Sequence, residues 1–243
     1  MTRRQIQRPR IGITKPEARP LNLPYYALWF SVWLAGGKPI LLTPGKPVRP
    51  KNIHGLLLGG GTDIFPGLFK KEPKKAYRYD HPRDKMEMKW LMLADDEKIP
   101  VLAICRGAQL MNVVRKGNLH MDISKVYQDA IYPNHLGGYL FFRKRIHIQK
   151  DSLLYELFEK ETAFVNSLHR QSIAEVGEEL KVTARETNGI VQAIERVGHP
   201  FYLGVQFHPE LLIYRKVFRK LFRRFVKTAT EVSEALPSPS SSS

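Results

Sequence analysis

A chain of 243 residues that is 43% hydrophobic is long enough to bury its own core, and its single cysteine excludes an intrachain disulfide or a thiolate-built zinc cluster. Its 39 Lys and Arg against 23 Asp and Glu leave a net charge of +16, which raises an anionic substrate, nucleic acid or an acidic membrane surface as partners, with plain solvated surface as the bland alternative. The basic N-terminus lacks the apolar stretch of a secretory signal and no window has the length of a transmembrane segment, so the expected setting is reducing and cytoplasmic.

Short β runs alternate with helical patterns along the chain. This predicts an α/β fold with a mostly parallel central sheet and helices on both faces. After a basic N-terminal arm (1–9), RIGIT (10–14) reads as a first strand and YYALWFSVWLAGG (25–37) as a helix ending at its double glycine. A second strand starts at Pro39, and HGLLLGGG (54–61) is a third that runs into glycine. Residues 84–98 carry apolar side chains at helical spacing behind an acidic start, which predicts a helix. The continuous apolar run PVLAIC (100–105) predicts a central buried strand that passes directly into a helix over RGAQLMNVV. The second half is richer in β patterns: LFFRKRIHI, LKVTARE, IVQAIER and FYLGVQF, with Asn188-Gly189 as a turn signal. A last helix is expected from about Leu211 to Lys227, with one apolar and one basic face, followed by a disordered Ser/Pro-rich tail over 228–243. Residues 10–227 are thus expected to be one catalytic domain.

Cys105 ends an apolar strand, precedes a helix and has small neighbours in Ala103 and Gly107, the sequence pattern of a nucleophile elbow. The helix N-terminus there favours thiolate over thiol, and its free N–H groups can hold an oxyanion. A buried, inert thiol is the alternative, and the strand pattern alone leaves both readings open. Among eight histidines, His208 terminates the strand FYLGVQF and is followed by Pro209-Glu210. Two residues apart in extended backbone, His208 and Glu210 point to the same side, so the carboxylate can orient the imidazole. The glycines of LLLGGGTD (56–63) supply backbone N–H groups clear of side chains, a candidate second half of an oxyanion hole. No other His or carboxylate has metal-ligand spacing, and no metal or cofactor is expected.

The segments LLLGGGTDIFP, AICRGAQLMNV, VNSLHRQSI and GVQFHPE together resemble class I glutamine amidotransferases, and within them the γ-glutamyl-γ-aminobutyrate hydrolase-like branch of stand-alone γ-glutamyl hydrolases. RPRIGIT and YYALWFSVWLAGGKPILLTP fit that branch too, so the resemblance runs from about residue 10 to 213. It implies a flavodoxin-like fold and a triad of Cys105 as nucleophile, His208 as base and Glu210 as its orienter. It further implies an oxyanion hole from the amide of Arg106 and one of Gly60 or Gly61, with Gln109, Ser167 and His169 lining the pocket for the glutamyl α-amino and α-carboxylate groups. The chain departs from the family at Gly59, where proline is frequent, and at Lys116-Gly117, where a glycine pair is frequent.

The implied reaction is hydrolysis of a small γ-glutamyl amide through a glutamyl thioester, without a cofactor. Two rivals stand beside it. One is a glutaminase subunit feeding ammonia to a synthase docked on the basic C-terminal helix; the other is a catalytically silent binding protein on the same fold. A homodimer, and a weak polyanion contact through that helix, complete the expected partners. The amine leaving group depends on loops around residues 65–82 and 125–145.

Overall fold

The computed structural model describes residues 8–17, 23–46, 48–75, 77–128, 130, 132, 142–167 and 169–235. Most of the basic arm, the last eight residues of the tail and much of the 125–145 loop lie outside them. The first half contains β1 (Arg10–Thr14), α1 (Leu23–Leu34), β2 (Lys38–Leu42), β3 (Gly55–Leu58), α2 (His81–Asp96), β4 (Val101–Ile104) and α3 (Arg106–Val114). The second contains β5 (Asn118–His120), β6 (Lys144–Ile148), α4 (Leu153–Phe158), β7 (Thr162–Val165), β8 (Ser172–Glu175), β9 (Leu180–Glu186), β10 (Val191–Arg196), β11 (Tyr202–Val205) and α5 (Lys216–Ala235).

Nine strands form one sheet in the order β2-β1-β3-β4-β11-β10-β9-β6-β7, and β5 pairs separately with β8. The five strands from β2 to β11 run parallel, whereas β10, β9, β6 and β7 continue the sheet antiparallel. Period-two alternation along the buried parallel strands divides the core. Leu57, Leu102, Ile104, Leu203 and Val205 join one layer with side chains of α1, α4 and α5. Leu56, Leu58, Val101 and Ala103 join the other with side chains of α2 and α3. In the first layer Phe218, Leu221, Phe222 and Phe225 of α5 are fully enclosed, each burial contributing roughly 1.5–3 kcal/mol.

The terminal helix begins at Lys216, not near Leu211, because Pro209–Leu211 form a 3-10 turn that ends before it. It also continues past Lys227 to Ala235, with Thr228 and Ala229 buried, so the stretch 228–235 belongs to the packed helix and not to a disordered tail. The first helix is likewise displaced, to Leu23–Leu34. By contrast α3 occupies the expected nine residues, and β9 the expected seven.

Candidate active site

Three neighbouring parallel strands, β3, β4 and β11, deliver their carboxyl ends to one edge of the sheet, where ligand sites of open α/β sheets form. The glycines 59–61 follow β3, Cys105 follows β4, and His208 lies three residues past β11. In-register pairing of Leu58 with Ala103 and of Ile104 with Val205 keeps the three ends level. Cys105 has φ +53° and ψ −107°, a conformation an L residue adopts only under strain, and is held there by its own N–H donating to Val205 O at 2.7 Å. Gly107 makes the turn sterically feasible: a Cβ there would lie 2.8 Å from the Leu58 carbonyl oxygen. The elbow raises the Cys105 side chain to the cleft at the start of α3, where the first helical N–H groups have no partner within the helix.

His208 Nδ1 lies 2.8 Å from Glu210 Oε1, and its backbone N–H donates to Asn166 Oδ1 at 3.2 Å. Burial opposes protonation of this imidazole, but the charges of Glu210 and Cys105 and the hydrogen bonds to both override it and raise its pKa well above 6.5. Gln206 Nε2 donates towards Cys105 Sγ at 3.5 Å, a distance acceptable for sulfur. Cys105, His208 and Glu210 thus share one electrostatic unit.

Gly60 approaches the His208 and Cys105 side chains so closely that a Cβ there would sit 2.9 Å from His208 Cε1 and 3.7 Å from Cys105 Cβ. Gly60→Ala is therefore expected to push the imidazole aside and lower turnover by roughly 10²-fold, with little change in thermal midpoint. Steady-state kinetics paired with a melting curve check it; unchanged turnover means that the loop has room.

Behind the glycine loop lies a buried ionic cluster that no sequence motif marks. Arg83 on α2 donates Nη2 to Gly59 O and Nη1 to Gly60 O, each at 3.1 Å, and Nε to Glu87 Oε1 at 2.7 Å. Glu87 also accepts from Thr14 Oγ1 at 2.5 Å and pairs with Arg106, which in turn pairs with Asp84. In a trans peptide the N–H points opposite the C=O, so gripping the Gly59 and Gly60 carbonyls fixes where the Gly60 and Gly61 N–H groups aim. The sequence signal was Arg83, Asp84 and Glu87 at helical spacing, which reads as an ordinary polar face of α2.

The cleft above these groups measures about 1110 Å³. Gly60, Gly61, Cys105, Arg106, Gln109, His169 and His208 all line it, and Arg78, Tyr79, His81 and Arg170 extend its wall. Gln109 Nε2 donates to Gln171 O at 2.8 Å and to Gln206 Oε1 at 3.0 Å. His169 Nδ1 is 2.6 Å from Gln171 O, and burial depresses its pKa to about 4, so it is a neutral imidazole in the cleft. Ser167 is not on the cleft wall: it is fully buried, and its hydroxyl has no partner among the described residues.

Comparison with known proteins gives a match to the Peptidase C26 family over residues 22–210. The chain is 35% identical to the protein NtpR of Enterococcus hirae, over 74% of this chain and 78% of that one. It is 31% identical to the γ-glutamyl-γ-aminobutyrate hydrolase PuuD of Escherichia coli, over 72% of this chain and 74% of that one. Its fold superposes on a glutamine amidotransferase from Thermotoga maritima with a TM-score of 0.60 at 15% identity, covering 94% of this chain and 93% of that one.

Proposed function

This chain belongs to the Peptidase C26 family of class I glutamine amidotransferase-like proteins, and we propose that it hydrolyses γ-glutamyl amide bonds with Cys105 as nucleophile, His208 as acid–base and Glu210 as its orienter. The observation that carries the reading is the 2.8 Å His208–Glu210 contact beside a strained, cleft-lining Cys105. The Cys105 thiolate attacks the γ-carbonyl carbon, and the electron pair of the C=O bond moves onto oxygen. The amides of Arg106 and of Gly60 or Gly61 then hold that oxyanion. Collapse expels the amine, which takes its proton from the His208 imidazolium and leaves a glutamyl thioester on sulfur. Water gives a proton to His208 as it attacks the thioester, and glutamate departs as the thiolate reforms. Kinship with a γ-glutamyl-γ-aminobutyrate hydrolase supports the hydrolytic direction, and no docked synthase is needed for it.

The test is a screen of γ-glutamyl amides with purified protein, together with labelling by a glutamine-derived chloroketone. A single adduct at Cys105 and release of glutamate are expected. Ammonia release from glutamine that appears only with an added synthase would favour a glutaminase subunit instead, and an absence of both activities would leave a binding protein.

The pH profile provides a separate check. Glu210 is the strongest influence raising the His208 pKa, so Glu210→Gln is expected to move the alkaline limb of kcat/KM to lower pH, because the imidazolium is then lost earlier. An unmoved limb would separate Glu210 from the titration of the pair.

A further inference from the structure

Helix α1 carries twelve residues, LPYYALWFSVWL, none of them charged. One stripe, Tyr25, Leu28 and Val32, is buried in the core layer beneath it. The opposite stripe is apolar too, yet open to solvent: Leu23, Tyr26, Trp29, Phe30, Trp33 and Leu34 are all exposed, with Trp29 at 38% and Trp33 at 43%. The rings are ordered as a plate, with Trp29 stacked on Trp33 at 6.5 Å and Phe30 on Trp33 at 5.9 Å between centroids. A helix apolar on all sides is normally covered on all sides, and a contiguous apolar patch of this kind marks an interaction surface.

The surroundings select the occupant. The guanidinium of Arg8 lies over the Trp33 ring at 5.8 Å, and Arg219 and Arg223 of α5 share a shallow groove with Leu34 of α1 and with Ala35 just after it. Arg223 and Arg224 project from α5 as exposed side chains, on a chain whose net charge is +16. A second copy seated on this face would bring two basic rims together. An anionic lipid surface complements them, and it also suits the plate, since Trp and Tyr settle at the headgroup level while Arg and Lys meet the headgroups. We propose that the α1 face, with the neighbouring arginines, docks this protein onto an anionic bilayer, its aromatic rings entering the headgroup region. No helix among the described residues is long and apolar enough to cross a membrane.

The test is flotation of the full chain with vesicles of phosphatidylcholine alone and of phosphatidylcholine mixed equally with phosphatidylserine. Wild type is expected to float with the mixed vesicles only and less so with added salt. Its tryptophan emission should shift to the blue, because two of its three tryptophans, Trp29 and Trp33, lie on the plate. Replacing both by serine is expected to weaken binding by about tenfold or more, and Arg8→Gln with Arg223→Gln to lessen both affinity and salt dependence. Thermal midpoints equal to wild type would show that both variants fold. Failure of wild type to float with the mixed vesicles, or equal flotation of wild type and the serine variant, would overturn the proposal. So would a wild-type dimer that becomes a monomer in the serine variant, which would assign the face to a second copy.

Discussion

Cys105→Ser is expected to lower turnover of γ-glutamyl amides by about four orders of magnitude or more while leaving the thermal midpoint close to that of wild type. In the proposed mechanism the thiolate forms the bond to the substrate, and the sequence has no other cysteine to replace it. His208→Asn should fall by a comparable amount, since both the base and the acid of the cycle go with it. Glu210→Gln should lose less, because it removes the orienting charge and keeps the imidazole. The losses should not add in double variants, as the three groups act as one unit. Steady-state kinetics on the best amide from the screen decide the matter; full activity of Cys105→Ser would end the mechanism, and equal small losses in the other two would relocate the base. A stability effect accompanies them. The His208 pKa is raised by folding, so the imidazolium contributes stability that is fully present below its ordinary pKa of 6.5 and is lost as pH rises through the raised value.

The second large effect is expected in the ionic cluster behind the glycine loop that is proposed to hold the oxyanion. Glu87 is fully enclosed, and the Arg106 and Arg83 guanidiniums hold its carboxyl below the usual range against the penalty of burial. Glu87→Gln leaves two buried guanidiniums without their common counter-charge, which costs about 3–5 kcal/mol and lowers the thermal midpoint by roughly 10 °C. The same logic gives the pH direction: stability from Glu87 is present above its ordinary pKa and is lost as pH falls through the depressed one. Arg83→Lys separates structure from chemistry. An ammonium can keep the charge, but it cannot hold the Gly59 and Gly60 carbonyls and Glu87 at once as the planar fork does. The expected result is a fall in kcat of roughly 10–10²-fold with a smaller change in KM, since the loop amides would aim less well at the developing oxyanion. Denaturation curves and kinetics read the two variants; a stable Glu87→Gln protein, or an Arg83→Lys enzyme with unchanged kcat, would remove the cluster from this role.

Local pattern was sufficient wherever one chemical fact dominates. The apolar run before Cys105 is legible as β4 because a strand covered on both faces must be apolar throughout, and the helix after it is legible because its pattern changes at the elbow. Cys105 and His208 were legible as candidates for the same reason: each follows an apolar run, and parallel strands deliver their ends to one edge. Their approach in space was decided by tertiary pairing, since only the order β3-β4-β11 makes neighbours of strands more than forty residues apart in the chain. A motif places Ser167 beside the cleft, whereas its enclosure away from it depends on tertiary packing beyond the end of β7. The Arg83 cluster lay hidden because charged residues at helical spacing look the same whether they face water or a buried counter-charge. The ends of α5 follow the same rule: a 3-10 turn delays its start, and packing of Thr228 and Ala229 carries it past the last strongly apolar turn. Helix α1 shows the limit most plainly. Its twelve uncharged residues determine a helix apolar on both sides, but only the fold decides which side meets the sheet and which is left as an exposed aromatic face, because no charged residue marks either stripe for solvent.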